Sequence, residues 1–179
     1  MAISLYAVLL IAIIACGVGF LGWVLPGDKH IAYADVALSA LNRSTSSTTC
    51  VSTGYGASLT PTVTGIIEVF TDPFFKTNNT AVFYGASIRY NTIGVPANGA
   101  ACGSDTTLGA LSNNPPPFSG SFESFTMNGV TDPAKGFTIV RGTTYFFYLG
   151  YNCGGANCLL TIGGTGVAPR IVMLMHELE

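Results

Sequence analysis

The stretch Ser4-Leu5-Tyr6-Ala7-Val8-Leu9-Leu10-Ile11-Ala12-Ile13-Ile14-Ala15-Cys16 runs on through Val18, Phe20, Leu21, Trp23, Val24 and Leu25, and no charged residue precedes Asp28. A membrane-crossing helix needs roughly 20 predominantly apolar residues, because its backbone polar groups have no water to bond. This run has the length. A helix on the surface of a soluble domain shows a polar stripe, and none is present here. The reading is a long N-terminal hydrophobic helix whose apolar surface is formed by Leu5, Val8, Leu9, Ile11, Ala12, Ile13, Ile14, Val18, Phe20, Leu21 and Val24. Pro26 and Gly27 would break or kink it. Beyond them Ile31, Ala34, Leu38 and Leu41 recur at helical spacing, which predicts a second, amphipathic helical half.

The rest of the chain has a different composition. A Ser/Thr run from Ser44 to Thr49 marks the entrance to a second region, so the expected division is 1–43 for the helix and 44–179 for a water-facing domain. That domain is long enough to bury its own core. Formal net charge is −2 and only 9% of residues are charged. Without a basic face to neutralise phosphates, nucleic-acid binding is excluded. The surface must be covered by Thr, Ser, Asn and Gly.

Short strand candidates follow one another: Ser58 to Thr64, Gly65 to Thr71, Thr80 to Tyr90, Gly120 to Met127, Gly136 to Val140, Thr143 to Tyr151, Cys158 to Ile162 and Arg170 to His176. Val82, Tyr84, Ala86 and Ile88 alternate with Phe83, Gly85, Ser87 and Arg89, the period of a half-buried strand. Turn signals such as Asp72-Pro73, Asn78-Asn79, Asp132-Pro133 and Arg141-Gly142 punctuate the series. The pattern predicts an antiparallel, immunoglobulin-like β-sandwich, and with the helix the fold class is α+β. The stretch Asn91 to Phe118 reads as a long surface loop held by Cys102.

Cys16 lies in the apolar run as a small packing residue. Cys50, Cys102, Cys153 and Cys158 form an even set in a domain expected outside the membrane, which points to disulfides. Cys153-Gly154-Gly155-Ala156-Asn157-Cys158 folds naturally as a tight turn with facing ends, favouring Cys153 with Cys158 and leaving Cys50 with Cys102. A four-cysteine zinc site is the competing account, with marginal spacing.

Catalytic chemistry finds little support. His30 and His176 have no adjacent partners of a triad, and the nine acidic residues are dispersed. Glycine clusters such as Gly163-Gly164-Thr165-Gly166 lack the helix and charged partner of a nucleotide site. Calcium held by Asp105 or Asp132 with loop carbonyls stays open as an alternative, although no dense Asp/Asn ladder announces it. No enzyme activity, cofactor or metal is expected. Asn42 (with Ser44) and Asn78 (with Thr80) fit the N-glycosylation pattern. The run Tyr145, Phe146, Phe147, Tyr148 and Tyr151 is either a strand buried on both faces or a subunit-packing surface.

Ala32-Tyr33-Ala34 offers a signal-cleavage site, but no Lys or Arg precedes Lys29 and the apolar run exceeds a typical signal core. The same missing basic flank fits a leader already removed. On this architecture, from Met1 to about Leu41, the chain resembles type IV pilins, the archaeal kind in particular; the Glu of bacterial pilins has no counterpart, Leu5 standing at the fifth position. The resemblance implies that the apolar residues named above form an assembly helix, held in the membrane before assembly and then packed with its copies in the core of an extracellular filament at the cell surface. It implies a homo-oligomeric helical polymer with the β-domain outside, serving surface adhesion. Two other readings stand beside it: a membrane-anchored viral coat or spike protein, with the stalk in an internal viral membrane, and an N-anchored surface-binding domain.

Overall fold

The computed structural model describes residues 30–37, 42–78, 83–112, 122–124, 126–131, 139–155, 158–163 and 170–177. The expected assembly helix, its break at Pro26 and Gly27, and Cys16 lie outside the described residues. Within them the chain forms strands alone. These are β1 (His30–Ala37), β2 (Arg43–Thr45), β3 (Val51–Leu59), β4 (Gly65–Thr71), β5 (Phe74–Thr77), β6 (Tyr84–Asn91), β7 (Thr106–Ser112), β8 (Glu123–Ser124), β9 (Met127–Val130), β10 (Tyr145–Cys153), β11 (Leu160–Gly163) and β12 (Arg170–Glu177).

Three four-stranded sheets result, with strand orders β1-β12-β4-β9, β3-β10-β6-β7 and β2-β11-β5-β8. Every ladder between them is antiparallel. Chain segments change sheet at short connections: β4 passes through Asp72-Pro73 into β5, and six residues, 154–159, separate β10 from β11.

The fold class expected from sequence is corrected here. The described residues are all-β, with no helix, and none of them forms a helix able to cross a membrane. The amphipathic helical half expected after Pro26 is instead β1, whose residues pair with β12 from His30↔His176 to Ala37↔Arg170. The physical reason is tertiary. The apparent helical spacing rests largely on Ala34 and two leucines, a weak preference, whereas β12 offers a full backbone ladder that satisfies every other peptide group of the segment. The seven or eight strands of an immunoglobulin-like sandwich are likewise replaced by twelve strands in three sheets among the described residues.

The core forms where strand faces meet. On β4 the buried positions are Gly65, Ile67, Val69 and Thr71, strict period two. On β10 the odd-numbered Tyr145, Phe147, Leu149, Tyr151 and Cys153 are buried in the same cluster, joined by Tyr84, Ala86 and Ile88 of β6, Phe75 of β5 and Leu160 and Ile162 of β11. Fully burying one such side chain stabilises by about 1.5–3 kcal/mol, so this cluster holds the sheets together. β10 is central in its sheet, paired on one side to β3 and on the other to β6. That position requires both of its faces to be covered.

Candidate functional site

The second face of β10 is covered by segment 92–105. Tyr148 is fully buried there, and the disulfide Cys50–Cys102 lies over Gly150. A Cβ at Gly150 would stand 2.6 Å from Cys50 Sγ and 2.9 Å from Cys102 Sγ, so only glycine lets the bridge rest on the strand. The bridge is reinforced by Cys102 N–H donating to the Cys50 carbonyl at 3.0 Å, and by Ser52 N–H donating to the Ala100 carbonyl at 2.7 Å. The aromatic run of β10 is thus a strand buried on both faces. It is not an exposed packing surface.

Segment 92–105 ends in a polar knot. Tyr148 Oη and Asn91 Nδ2 each donate to Asp105 Oδ2 at 2.7 Å. Asn91 Oδ1 accepts from Ile93 N–H and Gly94 N–H, both at 2.9 Å. The Arg89 guanidinium donates to the Asp105 carbonyl at 3.0 Å and to Ser87 Oγ at 3.2 Å. Burial first, and then the hydrogen bond to Asp105 and its negative charge, push the Tyr148 hydroxyl well above the ordinary phenol range, while Arg89 opposes the shift. At neutral pH Tyr148 is therefore a donor. Beside the knot opens a shallow cleft of about 240 Å³ lined by Asn91, Thr92, Ile93, Ser104, Asp105 and Thr106 among others. Ile93 at its edge is 90% exposed.

A second polar cluster runs from the core to the surface, joining buried Tyr151 and Tyr55 to half-buried Arg43 and exposed Asn98. Tyr151 Oη donates to Asn98 Oδ1 at 3.1 Å, and its own ionisation is pushed up to about 12 by burial, then by Tyr55, against the lowering effect of Arg43. The Arg43 guanidinium stands over the Tyr55 ring, 5.8 Å from its centroid.

The four cysteines of the polar domain form the pairs Cys50–Cys102 and Cys153–Cys158, with Cα separations of 5.5 and 5.8 Å. Asn42 is exposed immediately before β2, and the Ser44 hydroxyl of its sequon is shared with Thr161 Oγ1 at 2.8 Å. Asn78 is exposed at the end of β5, its Oδ1 accepting from Leu159 N–H at 2.7 Å. Thr80 of that second sequon lies outside the described residues. The knot of Asn91, Asp105 and Tyr148 escaped the sequence reading, because its members are 43 and 14 residues apart along the chain. A weak local signal existed in Asn91 followed by Gly94, an Asx-type turn closing β6. Among the described residues no group of three or more His, Cys, Asp or Glu side chains is placed to hold a metal.

No protein-family model matches the chain, and no curated protein matches it either. Solved structures do. A chain from T=1 particles derived from infectious bursal virus overlaps 86% of this chain and 37% of its own length, at 12% identity and a TM-score of 0.47. A CocE/NonD family hydrolase from Staphylococcus aureus overlaps 86% of this chain and 38% of its own, at 7% identity and a TM-score of 0.41. The Eiger TNF of S. frugiperda overlaps 85% and 90%, at 10% identity and a TM-score of 0.34. This chain thus spans little more than a third of the viral-particle chain it overlaps. None of the three is a pilin, and all stand below a TM-score of 0.5, so no function is carried across from them. The second helical half expected past Pro26 is corrected to strand β1, built into a sheet with β12, and among the described residues no helix is long and apolar enough to cross a membrane; the assembly helix of the pilin expectation lies outside the described residues.

Proposed function

We propose that this chain is a non-enzymatic viral coat subunit, assembling in many identical copies with its β-domain outward and its apolar run directed to an internal membrane. The observation that carries this reading is the short sequence separation between the apolar run and β1. The run ends at Leu25, and β1 begins at His30 and is hydrogen-bonded along its length to β12. Residues 26–29 span at most about 18 Å between those ends even when extended, so whatever surface holds the run keeps the start of β1 within that reach of it. A tethered receptor domain needs a long linker to search its surroundings. A coat needs a short one, because neighbouring domains must meet side by side.

Three further features support the reading. The core is closed over both faces of β10, two disulfides staple it, and the exterior carries hydroxyl and amide groups with few charges. Low net charge lets identical copies approach without strong mutual repulsion. Two disulfides suit assembly in an oxidising setting or at an exposed particle surface.

The test is the mass of the full chain purified from lipid-containing cells and examined by light scattering, with electron microscopy of the same sample. The reading expects discrete particles or ordered two-dimensional arrays of many copies. A chain that stays single in lipid over a wide concentration range overturns it.

A further inference from the structure

We propose that the cleft beside Asp105 is a binding site for a single neutral sugar ring. The inference stands independently of the coat reading, since it rests on the cleft alone.

The cleft has a built wall. Asp105 Oδ2 is fixed by two donors at 2.7 Å, the Asn91 amide and the buried Tyr148 hydroxyl, and neither bond uses Oδ1. Asn91 is itself locked by Ile93 and Gly94 N–H groups, so the acceptor cannot swing away. Segment 92–105 is fastened beneath by the Cys50–Cys102 bridge. A carboxylate held in this way is pre-organised, which removes much of the ordering cost that weakens small polar ligands.

Charge and size select the ligand class. The nearby cation, Arg89, directs its guanidinium to the Asp105 carbonyl and to Ser87, so the carboxylate dominates the wall. Anions such as phosphates, sulfates and acidic sugars are repelled. A neutral polyol is attracted, because vicinal hydroxyls donate to a carboxylate and accept from hydroxyl side chains. Thr92 and Ser104, both exposed, supply those hydroxyls along the same cleft, whereas the Thr106 hydroxyl is engaged by Tyr90. Ile93, 90% exposed at the edge, gives the apolar C–H face of a pyranose a surface to rest on. At about 240 Å³ the space lies below the roughly 300–1,000 Å³ of drug-sized pockets, so it takes one ring rather than an oligosaccharide or nucleotide.

The experiment is saturation-transfer NMR on the full chain in a detergent without a sugar headgroup, with the methyl glycosides of glucose, galactose, mannose and N-acetylglucosamine as probes. At least one glycoside is expected to receive saturation, with a millimolar dissociation constant. Asp105→Asn is expected to weaken it about tenfold or more, the size of a lost hydrogen bond to a charged group. Because Asp105 also holds Tyr148, Ser104→Ala serves as the second variant: it changes an exposed side chain and is expected to weaken binding a few-fold with unfolding unchanged. Absence of transfer to all four glycosides overturns the proposal. So does transfer that neither variant reduces.

Discussion

Removing the Cys50–Cys102 bridge in a Cys50→Ala, Cys102→Ala double variant is the perturbation whose size follows most directly from the topology. The bridge closes a loop with a sequence separation of 52, whereas Cys153–Cys158 closes one of 5. Chain-entropy theory puts the stabilisation from the long loop at about 4 kcal/mol and from the short one at about 2 kcal/mol, through restriction of the unfolded chain. The long bridge carries a further local role. It lies on Gly150 and fastens segment 92–105 over the buried Tyr148, so its loss also loosens the lid on β10. The Cys153–Cys158 bridge spans one connection between adjacent strands, and the β10 and β11 ladders hold both of its ends. The assay is equilibrium urea unfolding of the two double variants beside the parent chain, comparing midpoints and slopes. The Cys50–Cys102 variant is expected to lose about 2 kcal/mol more than the other. Equal losses, or the reverse order, would refute the claim that this bridge organises the outer face of the central strand.

Other outcomes follow from single contacts. Gly129→Ala places a methyl 2.7 Å from Leu108 Cβ and 2.9 Å from Leu108 backbone carbon where β7 and β9 cross, and thermal unfolding should show a loss of about 1–3 kcal/mol. Tyr148→Phe removes the donor to Asp105 and should cost about 1.5–3 kcal/mol in urea melts at pH 7, while leaving the core otherwise intact. Tyr151 ionises near 12 in the fold against about 10 in an unfolded chain, so the folded state binds its proton more tightly. Its contribution is complete below pH 10 and is lost as pH rises towards 12, at about 1.4 kcal/mol per unit, so an alkaline stability profile should steepen there and become shallower by that slope in Tyr151→Phe, the raised Tyr55, Tyr90 and Tyr148 hydroxyls keeping theirs.

The strand reading of the sequence succeeds for runs rich in β-branched and aromatic residues. Gly65–Thr71, with Ile66, Ile67, Val69 and Phe70, forms β4 with the bounds its composition predicts. β10 was visible as an aromatic run, and the structure shows which of its two alternatives applies. The cysteine pairs read from the Gly-rich spacing are those the structure contains. β2, β3, β5 and β7 were missed, and their residues explain why. β3 is Val51-Ser52-Thr53-Gly54-Tyr55-Gly56-Ala57-Ser58-Leu59, short of bulky β-branched residues and interrupted at Gly54, whose φ of 71° marks a bulge against β10. Thr106–Ser112 looks like loop sequence and becomes β7 only because β6 lies beside it. The same dependence on a distant partner hid β1, since β12 is more than a hundred residues away along the chain. At the cleft, Asp105 reads in the sequence as an isolated acid, because only the fold brings Tyr148 and Asn91 to it.

Electron cryomicroscopy of the assembled full chain in lipid tests the central claim most directly. A coat predicts repeated copies in side-by-side contact, with β1 and β12 nearest the bilayer and residues 1–25 entering it. Isolated domains separated from the lipid by a gap wider than the reach of residues 26–29, with no contact between copies, would contradict the account.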